Sequence, residues 1–248
     1  MSMRYKGGVL SATAPVTSSS SAKGIWSMRQ QLQAVGGTGW PTPPPVFPNI
    51  GAPYGGGFIG GKINVSGTQY YLIVAPKAFG QSSQTWGTYG VTTGITNVIA
   101  GPTNTTSLAA LGSSYAAATF CENLTIGAYS DWYMPALNEL EVLCYFLKPT
   151  TINNDTTSGS NANAVSPEPI STNYTTTTPS QTPAIDFQVG GNEAFDSSIS
   201  TYSCSTESNA VSALGIEFGD PAGWGYGHKV SSYKFSSLYV RAVRRVPV

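Results

Sequence analysis

The sequence predicts an α+β fold: two helices among twisted antiparallel hairpins, preceded by an extended amino-terminal arm. Three observations carry this expectation. Gln69 to Ala75 alternate with period two, Leu140, Leu143, Cys144 and Leu147 recur at helical spacing, and a proline run divides residues 1–48 from 49–248.

Residues 1–40 hold one short helical candidate, with Ser27 and Gln30 at capping-box spacing and Ile25, Met28, Leu32 and Val35 three or four apart. So short a helix is marginal alone, which implies that it packs on another surface or chain. Pro41, Pro43, Pro44, Pro45 and Pro48 then read as a semi-rigid spacer, or alternatively as a surface loop of one domain. Strands are expected over Phe58–Ile63 and Gln69–Ala75, with a turn at Ser66 and Gly67. The second is apolar on both faces and therefore central. Leu111, Tyr115, Ala118 and Thr119 mark a first helix, and the Leu140 series after Pro135 a second that Pro149 stops. Residues 150–182 are Thr, Asn, Ser and Pro, a composition that predicts a disordered insertion unless neighbouring subunits hold it. Strands return at Ala210–Phe218, Val230–Phe235 and Leu238–Val246, around a Gly-rich loop over 219–227.

The 248 residues carry 12 Lys plus Arg against 12 Asp plus Glu. Neutrality argues against nucleic acid, whose binding is driven by counterions displaced by clustered cations. Ser plus Thr supply roughly a quarter of the chain, so hydroxyls rather than charges solvate it. No segment approaches the roughly 20 apolar residues of a membrane span, and no stretch has signal-peptide length, so no membrane insertion is expected. Cys121, Cys144 and Cys204 are too few for a disulfide framework and read as buried thiols, and His228 is the single histidine. The expectation is no metal, no cofactor and no enzyme, because neither a triad nor a nucleophile elbow is present.

Three ordered motifs carry a family resemblance: SDWYMPALNELEVL from Ser130, YSCSTE from Tyr202 and YVRAVR from Tyr239, following GGKI and YYLIVAP. From Gly57 onward the chain resembles the Lcl-type domain, a branch of the formylglycine-generating-enzyme and C-type-lectin-like fold. Asp131, Trp132, Pro135, Glu139 and Leu140 match its first element, Tyr202, Ser205, Thr206 and Glu207 its second, and Tyr239, Val240, Arg241, Val243 and Arg244 its third. Ser203 and Cys204 depart from the usual Trp and Ser. Ala136 stands where a Ser or Thr often caps the helix, which implies a start weakened by about 1 kcal/mol. The resemblance implies scaffold roles: Trp132 buried beside the helix, and Glu207 paired with Arg241 or Arg244. The calcium tripeptides of sugar-binding relatives and the paired cysteines of the sulfatase-activating ones are missing.

The segment KGGVLSATAPVTSSSSAKGIWSMRQQLQAV is similar to one in structural proteins of tailed phages, notably those infecting cyanobacteria. That implies a virion protein, assembled in the host cytoplasm, whose arm (Ile25, Trp26, Met28, Leu32) anchors a homo-oligomer to other virion proteins. The expected function is host recognition, as a tail-fibre subunit binding a surface receptor or glycan. Tyr202, Asn209, Trp224, Tyr226, His228 and Tyr233 are the expected contacts, since rigid aromatics among Gly and Ser make adaptable binding surfaces. Two alternatives remain: these aromatics close the core or a subunit interface, and the protein is an architectural capsid-decoration or tail-connector component.

Overall fold

The computed structural model describes residues 49–165, 172–198 and 201–248, so the anchoring residues Ile25, Trp26, Met28 and Leu32 and the proline spacer lie outside the described residues. The described chain is mixed α+β, with strands predominating and four α-helices rather than two. One sheet runs β1 (Pro53–Tyr54), β2 (Gly57–Val65), β3 (Thr68–Val74), β10 (Val243–Pro247), with β5 (Ala164–Val165) also on β2. The other runs β4 (Gln81–Thr85), β9 (Ser237–Arg241), β6 (Thr201–Glu207), β7 (Ser212–Glu217), β8 (Lys229–Tyr233). Every pairing between these strands is antiparallel except β6 with β9, which meet in a parallel bridge between Tyr202 and Tyr239.

β3 is central, as its two apolar faces predict. Leu72 and Val74 join one buried cluster with helix α4 (Leu137–Phe146), and Tyr71, Ile73 and Ala75 join a second with Trp86, Trp132 and the short helices. On β2, Ile59 serves the second cluster and Ile63 the first, although residues four apart on a regular strand share a face. A bulge between Ile59 and Gly61 exchanges the faces. It needs glycine, since Gly61 has φ +141° and a Cβ there would lie 2.4 Å from Val142 of α4.

The helices correct the sequence reading in two places. The first expected helix, marked by Leu111, Tyr115, Ala118 and Thr119, is reduced to α3 (Ala116–Glu122); Leu111 is exposed in the turn that follows an unexpected α2 (Gly101–Ala109), where Gly112 has φ +110°. α2 lacks an apolar stripe and is anchored by polar bonds instead. Thr105 Oγ1 donates to Gly101 O (2.7 Å) and accepts from Met134 N (3.0 Å). The bare Ala136 cap of α4 is compensated: Glu139 accepts from Ala136 N (2.8 Å), Thr206 Oγ1 from Leu137 N (3.1 Å) and Val98 O from Asn138 N (2.9 Å). A Ser side chain at the cap would have accepted from the second or third helical N–H; Val98 O takes the Asn138 donor instead, while Glu139 and Thr206 satisfy Ala136 N and Leu137 N, which offsets the expected weakening.

The stretch expected as one strand, Leu238–Val246, is two. β9 and β10 are separated by Ala242, whose N–H donates to Gly80 O (2.8 Å) and whose carbonyl accepts from Ala75 N (2.9 Å). On the partner side α1 (Lys77–Gly80) inserts between β3 and β4, so one antiparallel ribbon leaves the first sheet and enters the second. Arg241 fills this corner. Its guanidinium is fully buried, donates to Ala75 O (2.8 Å), Glu193 O (3.0 Å) and the Glu193 carboxylate (2.5 Å), and lies 5.2 Å from the Phe195 ring. Burial lowers the Arg241 pKa to about 10, opposed by Glu193, and leaves it charged at neutral pH. Glu193 also accepts from Lys77 N (2.7 Å), which ties α1 to the same pair.

The pairing expected for Glu207 with Arg241 or Arg244 is therefore corrected. Arg241 takes Glu193, Arg244 takes Asp131 through two bonds of 2.7 and 2.9 Å, Arg245 takes Glu139 at 2.8 Å, and Glu207 takes Lys234. Trp132 is buried as expected, with its indole N–H on Tyr129 O (3.1 Å). All three cysteines are free and buried, and burial pushes the Cys204 thiol up to about 12. No helix among the described residues is long and apolar enough to cross a membrane. Replacing Arg241 by Met strands Glu193 at the corner and is expected to cost about 3–5 kcal/mol in urea unfolding; a loss under about 1 kcal/mol contradicts this role for the pair.

Candidate functional site

The Thr/Asn-rich insertion, expected to be disordered, is folded in its described parts, 150–165 and 172–182, because buried polar groups organise it from within. Lys148 sits beneath, with Nζ on Ile152 O (2.5 Å), Asn154 Oδ1 (2.6 Å) and Pro179 O (3.2 Å), so its three donors are satisfied. Tyr174 is wedged between Gly159 and Gly227, each at positive φ, where an added Cβ would lie 2.1 and 2.6 Å from its ring. Its hydroxyl bonds Glu141 of α4, which also pairs with Lys229 Nζ at 3.0 Å. Burial raises the Glu141 pKa, with Lys229 and Tyr174 opposing. Composition signalled none of this, since a threonine-rich segment folds here around one tyrosine and one lysine.

The Gly-rich loop lies on that floor. Tyr226 N donates to Asn153 O and Asp155 N to Tyr226 O, both at 2.9 Å, and Asp220 accepts from Gly225 N (2.8 Å). Gly225, at φ +99°, lies against the Asn154 backbone, where any Cβ would sit 2.7 Å from the carbonyl carbon. The chain therefore sends Tyr226 inward, fully buried with its hydroxyl on Cys144 O (2.7 Å), and leaves Trp224 outward, 64% exposed.

His228 joins loop and insertion. Its Nδ1 is 2.7 Å from Asp155 Oδ2, and the Trp224 ring stacks on the imidazole at 5.4 Å and 14°. Asp155 is itself held by Thr157 N (2.8 Å), Thr157 Oγ1 (2.8 Å) and Ser158 Oγ (2.9 Å). Burial opposes its ionisation, but these donors and His228 outweigh it and lower its pKa to about 2. Glu217, buried nearby, has Oε2 without a hydrogen-bond partner, and burial raises its pKa while His228 opposes the shift. The result is a flat Trp–His platform, locked from below, with a solvent-facing indole. Ser158 Oγ bonds the Asp155 carboxylate rather than the imidazole. Among the described residues no cluster of three His, Cys, Asp or Glu side chains is placed to hold a metal ion.

Of the six expected contact residues, the structure brings only Trp224 and His228 together at an accessible place. Tyr202 and Tyr226 are corrected to core residues. Tyr202 is fully buried, accepts from Asp196 N (2.8 Å), donates to Gln81 Oε1 (3.0 Å) and packs on Phe195 and Phe218. Asn209 is exposed, but its Oδ1 is engaged by Val211 N (2.9 Å) and Ser212 N (3.0 Å) in the β6–β7 turn. Tyr233 is exposed at the other end of β8, about 13 Å along the strand from Lys229. Asp155 went unrecognised because it lies about seventy positions from His228 in a segment read as loop; its only signal was the Asx-type spacing of DTTS. Comparison with known proteins finds no matching family model, no matching curated protein and no matching solved structure.

An Asp pKa of about 2 in the folded state against roughly 3.9 unfolded means that this bond set stabilises fully above about pH 4 and is lost as pH falls toward 2. Thermal unfolding of the wild type and Asp155→Asn should therefore differ by a constant margin from pH 7 to 5, and the margin should close below about pH 4. A margin independent of pH contradicts the assignment.

Proposed function

We propose that the chain is a host-recognition subunit of a bacteriophage particle, with a lectin-like domain from residue 49 onward that binds a cell-surface receptor or glycan. The observation that carries this reading is Trp224: a large aromatic left 64% exposed on a stack that Asp155 and His228 immobilise. Exposing an indole forgoes roughly 2 kcal/mol of burial, and fixing it in advance removes the ordering cost of binding, an arrangement suited to capture of a partner. Support for the family comes from the three ordered motifs. They meet in space, since Ser205 N donates to Pro135 O (2.8 Å), Tyr133 and Val243 exchange backbone bonds (2.8 and 2.9 Å), and Arg244 grips Asp131. Residues 1–48 serve as the attachment arm, and many copies on one particle convert weak single contacts into firm adsorption.

Trp224→Ala is the test, since this side chain supports little else; Tyr226, being core, is unsuitable. Particles carrying Trp224→Ala should assemble normally and adsorb to host cells at least tenfold more slowly. Failure of assembly instead favours an architectural role in the capsid or tail connector, and unchanged adsorption removes Trp224 from recognition.

A further inference from the structure

A second aromatic group stands at the far end of β8, apart from the Trp224–His228 stack. Tyr233 and Phe235 stack at 5.3 Å and 14°, and Tyr89 meets them at 5.9 Å and 65° and at 5.5 Å and 53°. The three rings are 52 to 57% exposed. Tyr89 comes from the loop after β4, about 145 positions from the other two, so only the folded chain assembles the group.

The mount beneath them is rigid. Lys234, between Tyr233 and Phe235 in sequence, points inward and is fully buried, with Nζ on the Glu207 carboxylate and on Val91 O (2.6 Å) and 4.8 Å above the Trp86 ring. Its carbonyl accepts from Trp86 N (3.0 Å) and Gly87 N (3.1 Å), and Glu207 accepts from Thr93 N and Gly94 N (2.8 Å each). One ion pair thus fastens the loop bearing Tyr89 to the strand bearing Tyr233. Both charges are consumed inside, and Thr88 and Gly90 beside Tyr89 and Ser231 two positions before Tyr233 on β8 are exposed and uncharged.

We propose that Tyr89, Tyr233 and Phe235 form a stacking site for a neutral oligosaccharide, separate from the Trp224 platform and independent of whether Trp224 binds. Aromatic faces pack against the C–H faces of pyranose rings, and neighbouring hydroxyls and amides bond their edges. Magnitudes discriminate among occupants. Three half-exposed rings offer about 300 Å², well short of the roughly 800 Å² per partner that a stable protein interface needs. Stacked nucleobases would suit the rings but require a cationic groove for the phosphates, and Lys234, the cation beneath these rings, is buried and paired with Glu207.

Full-length protein is titrated with cellohexaose, maltohexaose and chitohexaose by saturation-transfer NMR, beside oligodeoxythymidylate. At least one hexasaccharide should bind the wild type. Tyr233→Ala with Phe235→Ala should weaken that binding at least tenfold, Tyr89→Ala should weaken it from a different loop, and Tyr233→Phe and Ile185→Ala, the latter an exposed side chain outside both aromatic groups, should leave it within twofold. The proposal is overturned if no hexasaccharide binds, if the ring-deleted variants bind as well as wild type, if oligodeoxythymidylate binds more tightly, or if the rings prove to drive self-association in sedimentation.

Discussion

The buried contact between Arg241 and Glu193 is the constraint on which the rest of the architecture depends. Two sheets share one ribbon, and where the ribbon turns between them the regular ladder is interrupted by α1 and leaves Ala75 O without a strand partner. A guanidinium is suited to such a place because its planar fork offers five donors to acceptors in different directions. It satisfies a backbone carbonyl, a second carbonyl and a carboxylate, while Phe187 and Phe195 cover its apolar surroundings. Removing a charge from water is costly, and the geometry offsets that cost only because every partner is already in position.

The same economy governs the other charges. Six carboxylates, Asp131, Glu139, Glu141, Asp155, Glu193 and Glu207, are engaged by cationic partners or by His228, and most of these groups are wholly or largely buried. A chain with so few ionisable groups places many of them inside, as fasteners between distant segments. Among the described residues the exposed surface is rich in hydroxyls and amides, with carboxylates at Glu122, Asp131, Asp186 and Asp220 and exposed aromatics at both ends of β8.

Local pattern made β2, β3 and the α4 core legible, because alternation and i, i+3, i+4 spacing report directly on which face is buried. It failed where polar groups substitute for apolar ones. α2 is held by Thr105 and Asn104, and the insertion by Lys148, Asn154 and Tyr174, whose partners lie between four and about a hundred positions away. Of the aromatic residues near the carboxyl terminus, composition marked the Gly-rich loop but gave no means of separating exposed Trp224 from buried Tyr226. One glycine at positive φ, closed against Asn154, makes that distinction.

What the amino-acid sequence determined by itself was the alternation of the strands, the helix after Pro135, the neutrality of the whole and the three motifs, all properties of residues close in the chain. Tertiary structure alone decided which carboxylate each arginine takes, which tyrosines vanish into the core, and that Tyr89 joins Tyr233 and Phe235. The reason is physical: ion pairing and ring stacking depend on distances through space of a few ångströms, and here those distances close between segments up to about 145 residues apart.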